Sequence, residues 1–179
     1  MTDAPLILTL TLDTKSQQYF NALRSEHFPP ERNYLDAHLT LFHHLPAGET
    51  QIIEAIKNAV SNCDKMQLQV TGVKSIGNGV AFAMECVELQ VMHKQLQQQW
   101  DAWLIPQDRQ KLWPHITVQN KVNPDVAKSL REKLEKEFTP FDVTGTGLSL
   151  FEYQGGPWKF VRRFEFAGYK PVSLSLSKT

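Results

Sequence analysis

The chain has 179 residues, with 19 basic and 19 acidic side chains, so its formal net charge is zero. That balance excludes a coat protein that holds nucleic acid by wholesale phosphate neutralisation, but not an enzyme that grips one or two phosphates. Cys63 and Cys86 are the only cysteines, too few for a disulfide framework or a four-thiolate zinc site, and they read as reduced, buried thiols.

Leu6–Leu12 (LILTLTL) alternates and is rich in strand formers, so it reads as a strand. Thr14 is a candidate cap for a helix over 15–27, which Pro29 and Pro30 stop. A second strand is expected over 37–42 (AHLTLF), leaving into a turn at 43–48, then a helix over Thr50–Ser61 with Ile52, Ile53, Ile56 and Val60 on one face. Strand-like runs at 67–76 and 80–87 meet at Gly77-Asn78-Gly79, a hairpin signal. A Gln-rich helix is expected over 88–104, a loop over 106–111 and a strand over His115–Gln119. Next comes an amphipathic helix over 124–138, with Asn123 as cap and Pro124 in its first turn. Phe141–Tyr153 and 158–166 form a second hairpin around Gly155-Gly156-Pro157, and the Ser-rich chain from Pro171 is expected to fray.

No linker or low-complexity segment interrupts this series, and 1–179 reads as one domain of two lobes. An internal repeat is more informative. Each half runs as a strand with an H-x-T tripeptide, a helix, a strand with Val-Thr-Gly and a hairpin. The histidines are 77 residues apart and the Val-Thr-Gly tripeptides, at 70–72 and 143–145, 73 apart. The expected fold is therefore a duplicated α+β unit about a pseudo-two-fold, in which equivalent residues face each other across a groove.

His38-Leu39-Thr40 and His115-Ile116-Thr117 carry the chemistry. Residues i and i+2 of a strand share a face, so each half presents an imidazole beside a hydroxyl. Transfer at a phosphodiester needs that set. One imidazole takes a proton from the attacking oxygen and the other gives one to the leaving oxygen. Hydroxyls donate to the non-bridging oxygens. Imidazole suits both roles because it titrates near neutrality. A single H-x-T match is weak; the matched setting of the two, each at a strand start in the same place in the repeat, gives them weight.

With both motifs in view, HLTL at 38–41 and HITV at 115–118, the sequence resembles the 2H phosphoesterase superfamily, which includes the bacterial 2′-5′ RNA ligases and cyclic nucleotide phosphodiesterases. Trp113-Pro114 is similar to the lead-in common before its second motif, and the resemblance runs from Leu6 to Phe166. It implies two lobes, each an antiparallel β-sheet with helices, flanking a central cleft. It further implies His38 and His115 as the acid/base pair, Thr40 and Thr117 as phosphate-binding hydroxyls, and no metal or other cofactor. The implied substrates are 2′,3′-cyclic phosphates on RNA ends or small nucleotides, opened by water or by a 5′-hydroxyl. Neither the direction of reaction nor which histidine is the acid follows from the sequence. Zero net charge tips the substrate toward small nucleotides or short ends.

His43 and His44 could join His38 in a metal cluster. Against that, strand alternation turns His43 to the opposite face, and no carboxylate stands at ligand spacing. Tyr34, Phe42, Trp113, Phe151, Tyr153 and Trp158 are candidates for a base-stacking surface. Phe42 leads them, because alternation carries it onto the face of His38 and Thr40. One of Arg162 and Arg163 is expected to face the cleft. His27 reads as a helix-end residue, His93 as a surface or groove residue and 95–99 as a solvated helix face. The rival from another class is a non-catalytic nucleotide or RNA-end binding protein with the same cleft. The opening MTDAPLILTLTLD has no basic leader and its apolar run is broken by threonines, so a cytoplasmic monomer without membrane contact is expected.

Overall fold

The computed structural model describes residues 4–168. The alternating leucines form β1 (Leu6–Leu12). Helix α1 (Thr14–His27) is capped by Asp13 and not by Thr14, the Asp13 carboxylate accepting the Ser16 amide at 3.0 Å. Asp13 also exchanges backbone and side-chain hydrogen bonds with Thr144, and this tertiary anchor places the cap one residue early. Strand β2 (Leu39–Leu45) starts two residues later and ends three residues later than the alternation suggested. Helix α2 (Thr50–Ser61), β3 (Met66–Ser75) and β4 (Val80–Glu85) follow their apolar patterns. Gly77 turns the hairpin at φ 81°, a conformation open to glycine.

Helix α3 (Val87–Trp100) gives way to a short 3-10 turn over Asp101–Trp103. Then come β5 (His115–Gln119), α4 (Pro124–Glu137, capped by Asn123), β6 (Phe141–Tyr153) and β7 (Trp158–Glu165). The fraying expected from Pro171 lies outside the described residues.

The strands form one path, β2-β1-β6-β3-β4-β5, with β7 also on β6. Strand β6 joins the lobes. Its first residues, Phe141 to Gly145, pair with β3, while Gly145 to Glu152 pair with β1 and Gly147 to Tyr153 with β7. One lobe is thus β2-β1-β6-β7 and the other β3-β4-β5 with the start of β6, an α+β architecture of two pseudo-symmetric lobes.

The registers define the pseudo-symmetry. Thr40 maps to Thr117, a shift of 77. Thr9 lies opposite Thr40 and Ala81 opposite Thr117, so β1 maps to β4 with a shift of 72. Ser149 flanks Thr9 and Lys74 flanks Ala81, so β3 maps to β6 with a shift of 75. The bulges agree: Thr71 Oγ1 donates to Ala83 O and Thr146 Oγ1 to Thr11 O, both at 3.4 Å. Leu68 pairs with Val143, its own counterpart, at the pseudo-dyad.

Two details of the expected repeat are corrected by these registers. The equivalent tripeptides are not the two Val-Thr-Gly runs, because Thr71 matches Thr146 and Gly72 matches Gly147, two residues further on. Nor is the β6–β7 hairpin the partner of β3–β4. Strand β4 flanks β3 as β1 flanks β6, and β7 has no counterpart among the described residues. The duplicated unit is β-α-β-α-β, and the halves exchange strands: the last strand of each pairs with the first strand of the other.

Helices α1 and α4 cover β3-β4-β5, where Phe20 and Phe138 meet Phe82. Helices α2 and α3 cover the other lobe, where Trp100 and His93 enclose Phe42. Phe20, Phe42 and Trp100 are almost wholly buried, and each such side chain contributes about 1.5–3 kcal/mol of transfer free energy. The opposite sheet faces, bearing Thr9, Thr40 and Ser149 in one lobe and Ala81, Thr117 and Lys74 in the other, are left for the cleft.

Candidate active site

His38 stands immediately before β2 and His115 opens β5. The His38 Nδ1 lies 2.7 Å from the carbonyl of Asp36, and the His115 Nδ1 lies 2.7 Å from that of Trp113. In both motifs the partner is two residues upstream. A carbonyl can only accept, so each Nδ1 carries hydrogen, and Nε2 is the atom each ring offers to a ligand. Each imidazole also has an indole neighbour. Trp158 from β7 lies 4.5 Å from His38, and Trp113 stacks on His115 at 4.1 Å.

Crowding by protein pushes His38 down to about 4, against the bond to Asp36, and the charges of Arg24, His115 and His43 add to the depression. Burial also lowers His115, opposed by the Trp113 carbonyl and aided by His43. Strands β2 and β5, which carry the two motifs, come into contact, and the charge of His115 bears on His38. Both rings are therefore neutral near pH 7 when the cleft is free.

Arg24, which sequence reasoning missed, holds the two motifs together. Its Nε donates to Leu35 O and Asn33 Oδ1 ahead of His38, while Nη1 donates to Thr117 O at 3.0 Å. Only 5 % exposed and stacked 4.0 Å over Phe28, it is pushed by burial to about 10, with Asp36 opposing. The signal was its place on the buried stripe Ser16, Phe20, Arg24 of α1, a charge at a core position. Gln17 and Asn21 of the same helix bind the Ala37 backbone, fixing the approach to His38.

Thr40 and Thr117 are both partly exposed. On the His38 side a cavity of about 430 Å³ opens, lined by Thr9, Ser149, Tyr34, Phe151 and Trp158 with His38 at its rim. Its polar floor is tied by the 2.7 Å contact of Thr11 Oγ1 with Ser149 Oγ. Arg163 pairs with Ser149 and so shares the cleft face, donating to Thr146 Oγ1 and bridging to Glu165. Arg162 pairs with Leu150 on the other face and lies over Phe164.

Phe42 does not join this surface. Its exposure is 0 %, and it packs in the core against His93 and Trp100. The cause is a bulge in β2: Thr40 pairs with Thr9 but Phe42 with Leu8, so Leu41 and Phe42 both turn inward. The same slip brings His43, expected on the far face, onto the face of His38. The carboxylate missing from the sequence neighbourhood is Asp108, which binds His43 from the loop after α3. Among the described residues, no three His, Cys, Asp or Glu side chains form a group that could hold a metal ion. His93 is buried, not a surface residue, and its Nε2 bonds to Leu41 O. Gln97 is no solvated face either, donating to the carbonyls of Asp108 and Gln110.

The family model of the 2′-5′ RNA ligase superfamily matches residues 12–157. The chain belongs to that superfamily, the 2H phosphoesterases, which are enzymes. Among solved structures, E. coli LigT complexed with NADP+ aligns with a TM-score of 0.60 at 16 % identity, covering 92 % of this chain and 99 % of that one. TT0787 of Thermus thermophilus aligns with a TM-score of 0.65 at 13 % identity over 93 % and 100 % of the two chains. A structure described only as a phosphoesterase gives 0.59 at 16 % identity, over 92 % and 98 %. At such identities the likeness is one of fold. A search of curated proteins found no significant match. Among the described residues no helix is long and apolar enough to cross a membrane.

Proposed function

We propose that the protein is a metal-independent phosphoesterase acting on 2′,3′-cyclic phosphates of RNA ends or small nucleotides, with hydrolysis and 2′-5′ ligation open to the same site. The observation that carries this reading is the mirrored pair of 2.7 Å Nδ1–carbonyl bonds, which leaves each imidazole its Nε2 to exchange a proton. One Nε2 removes the proton of the attacking water or 5′-hydroxyl. The other, carrying a proton, delivers it to the departing ribose oxygen. Thr40 and Thr117 donate to the non-bridging oxygens as charge accumulates there. The anionic substrate raises both imidazoles, which supplies the protonated partner the empty cleft lacks.

The cavity beside His38 suits a nucleoside, with Trp158, Phe151 and Tyr34 as apolar walls and Thr9 and Ser149 as polar contacts. LigT has been crystallised with 3′-AMP, ATP, NADP+ and phosphate, ligands that share a phosphate. Incubation with 2′,3′-cyclic nucleotides, linear diesters and RNA halves, followed by product analysis, tests the reading. Conversion of a cyclic phosphate to a monoester or a 2′-5′ linkage supports it, and inertness toward the whole panel refutes it.

A further inference from the structure

A third imidazole stands in the cleft, and neither motif accounts for it. The β2 bulge turns His43 onto the face of His38 and Thr40. Its charge bears on His38 and on His115, and from behind on His93 of α3. A buried carboxylate grips it. The Asp108 side chain is 0 % exposed and accepts the His43 amide at 2.9 and 3.0 Å, the His44 amide at 2.9 Å and the His43 Nδ1 at 2.9 Å. Burial would raise the Asp108 carboxyl, but these bonds outweigh it and hold the group below the ordinary carboxylate range. Gln97 in turn clamps the loop that presents Asp108.

An ionised carboxylate on Nδ1 requires hydrogen there, so Nε2 is the atom His43 presents, on a side chain 42 % exposed. Of the other cations on the cleft faces, Arg163 is bridged to Glu165 and Lys74 lies in the half opposite His43. His38 and His115 are held neutral by burial, and Arg24 is committed to backbone and amide acceptors. We infer that His43, oriented by Asp108, is a phosphate-binding residue of the cleft, its protonated Nε2 donating to a non-bridging oxygen of a nucleotide phosphate. Asp108 acts through it as a positioning residue.

Only the identity of the phosphate compound rests on the function proposed above. The test is calorimetric binding of adenosine 2′-monophosphate, inorganic phosphate and adenosine to wild type, His43→Asn and His43→Gln. Asn keeps an Nδ1-like donor for Asp108 but lacks Nε2, whereas Gln reaches the Nε2 position with a neutral amide. His43→Asn should bind both phosphates roughly 10- to 150-fold more weakly, the range of one hydrogen bond to a charged group, with adenosine binding unchanged. His43→Gln, which keeps a donor at the Nε2 position, should recover part of that affinity. Wild-type phosphate affinity in His43→Asn overturns the inference, as does a wild type that binds neither phosphate. Unaltered melting of both variants, with the half-exposed ring removed, separates lost binding from lost folding. Phosphate binding that depends on His43 in a protein inert toward every cyclic phosphate would refute the proposed function and leave this inference standing.

Discussion

The two halves of the cleft match where they hold a proton and differ where they would meet a substrate. Both set a histidine at a strand start, bind its Nδ1 to the carbonyl two residues upstream and place an indole against the ring. The indoles have different origins. Trp113 belongs to the second motif itself, whereas Trp158 comes from β7, the strand without a counterpart. The strand faces differ too: Thr9 and Ser149 beside Thr40 become Ala81 and Lys74 beside Thr117. The cavity and the Asp108-held His43 both lie with the first half. On the proposed function, the two-fold symmetry is kept at the atoms that would transfer protons and given up where a one-sided substrate would bind.

Removing either proton carrier should break the comparison most. His38→Ala and His115→Ala should each lower kcat on a 2′,3′-cyclic nucleotide by on the order of 10²–10⁴-fold. The double variant should fall far short of the product of the singles, since one loss already disables the concerted transfer. Near-full activity in both single variants would remove the histidines from the mechanism.

A large effect of another kind is expected at Phe42. Phe42→Ala should cost about 3–5 kcal/mol of stability in chemical denaturation, through the cavity it leaves. If it instead raised KM with stability intact, the residue would belong to the cleft after all.

Thr40→Ala and Thr117→Ala should each slow turnover by roughly 10–150-fold, one hydrogen bond to a charged oxygen apiece. The indoles sharpen the asymmetry. Trp158→Ala should raise KM for a cyclic nucleotide by roughly 5- to 150-fold, the range of base stacking, and Trp113→Ala by much less. Equal effects on KM would place the nucleoside elsewhere.

The pH dependence should be a smaller effect with a definite sign. The base must be neutral, so activity should rise as pH climbs through about 4, the lower of the two depressed values. The acid must be protonated, and His115 is lowered from 6.5, so the basic limb should begin below 6.5. The profile of kcat/KM should therefore be a bell on the acid side of neutrality, reporting macroscopic values of the pair. An optimum above pH 7 would contradict the depressed imidazoles. The smallest expected effect is none: excess chelator should leave turnover unchanged, and loss restored by zinc or manganese would end the metal-free reading.

Local chemistry was enough to find the elements and the motifs. Apolar periodicity located the helices and strands to within a few residues, and Asn123-Pro124 and Gly77 marked a helix start and a turn, because capping and positive φ are properties of short segments. The duplicated H-x-T tripeptides pointed to the superfamily because strand alternation alone sets a histidine beside a threonine. What depended on distant partners was not legible there. The β2 bulge arises from pairing with β1, and it sent Phe42 inward and His43 outward against plain alternation. Asp108 reaches His43 across 65 positions, and Arg24 reaches Thr117 across 93. The true register of the repeat, Thr71 on Thr146, followed only from strand pairing, since a two-residue slip preserves which face each side chain takes. Composition and periodicity report what a residue prefers; which charge is buried against which strand is decided when the chain closes on itself.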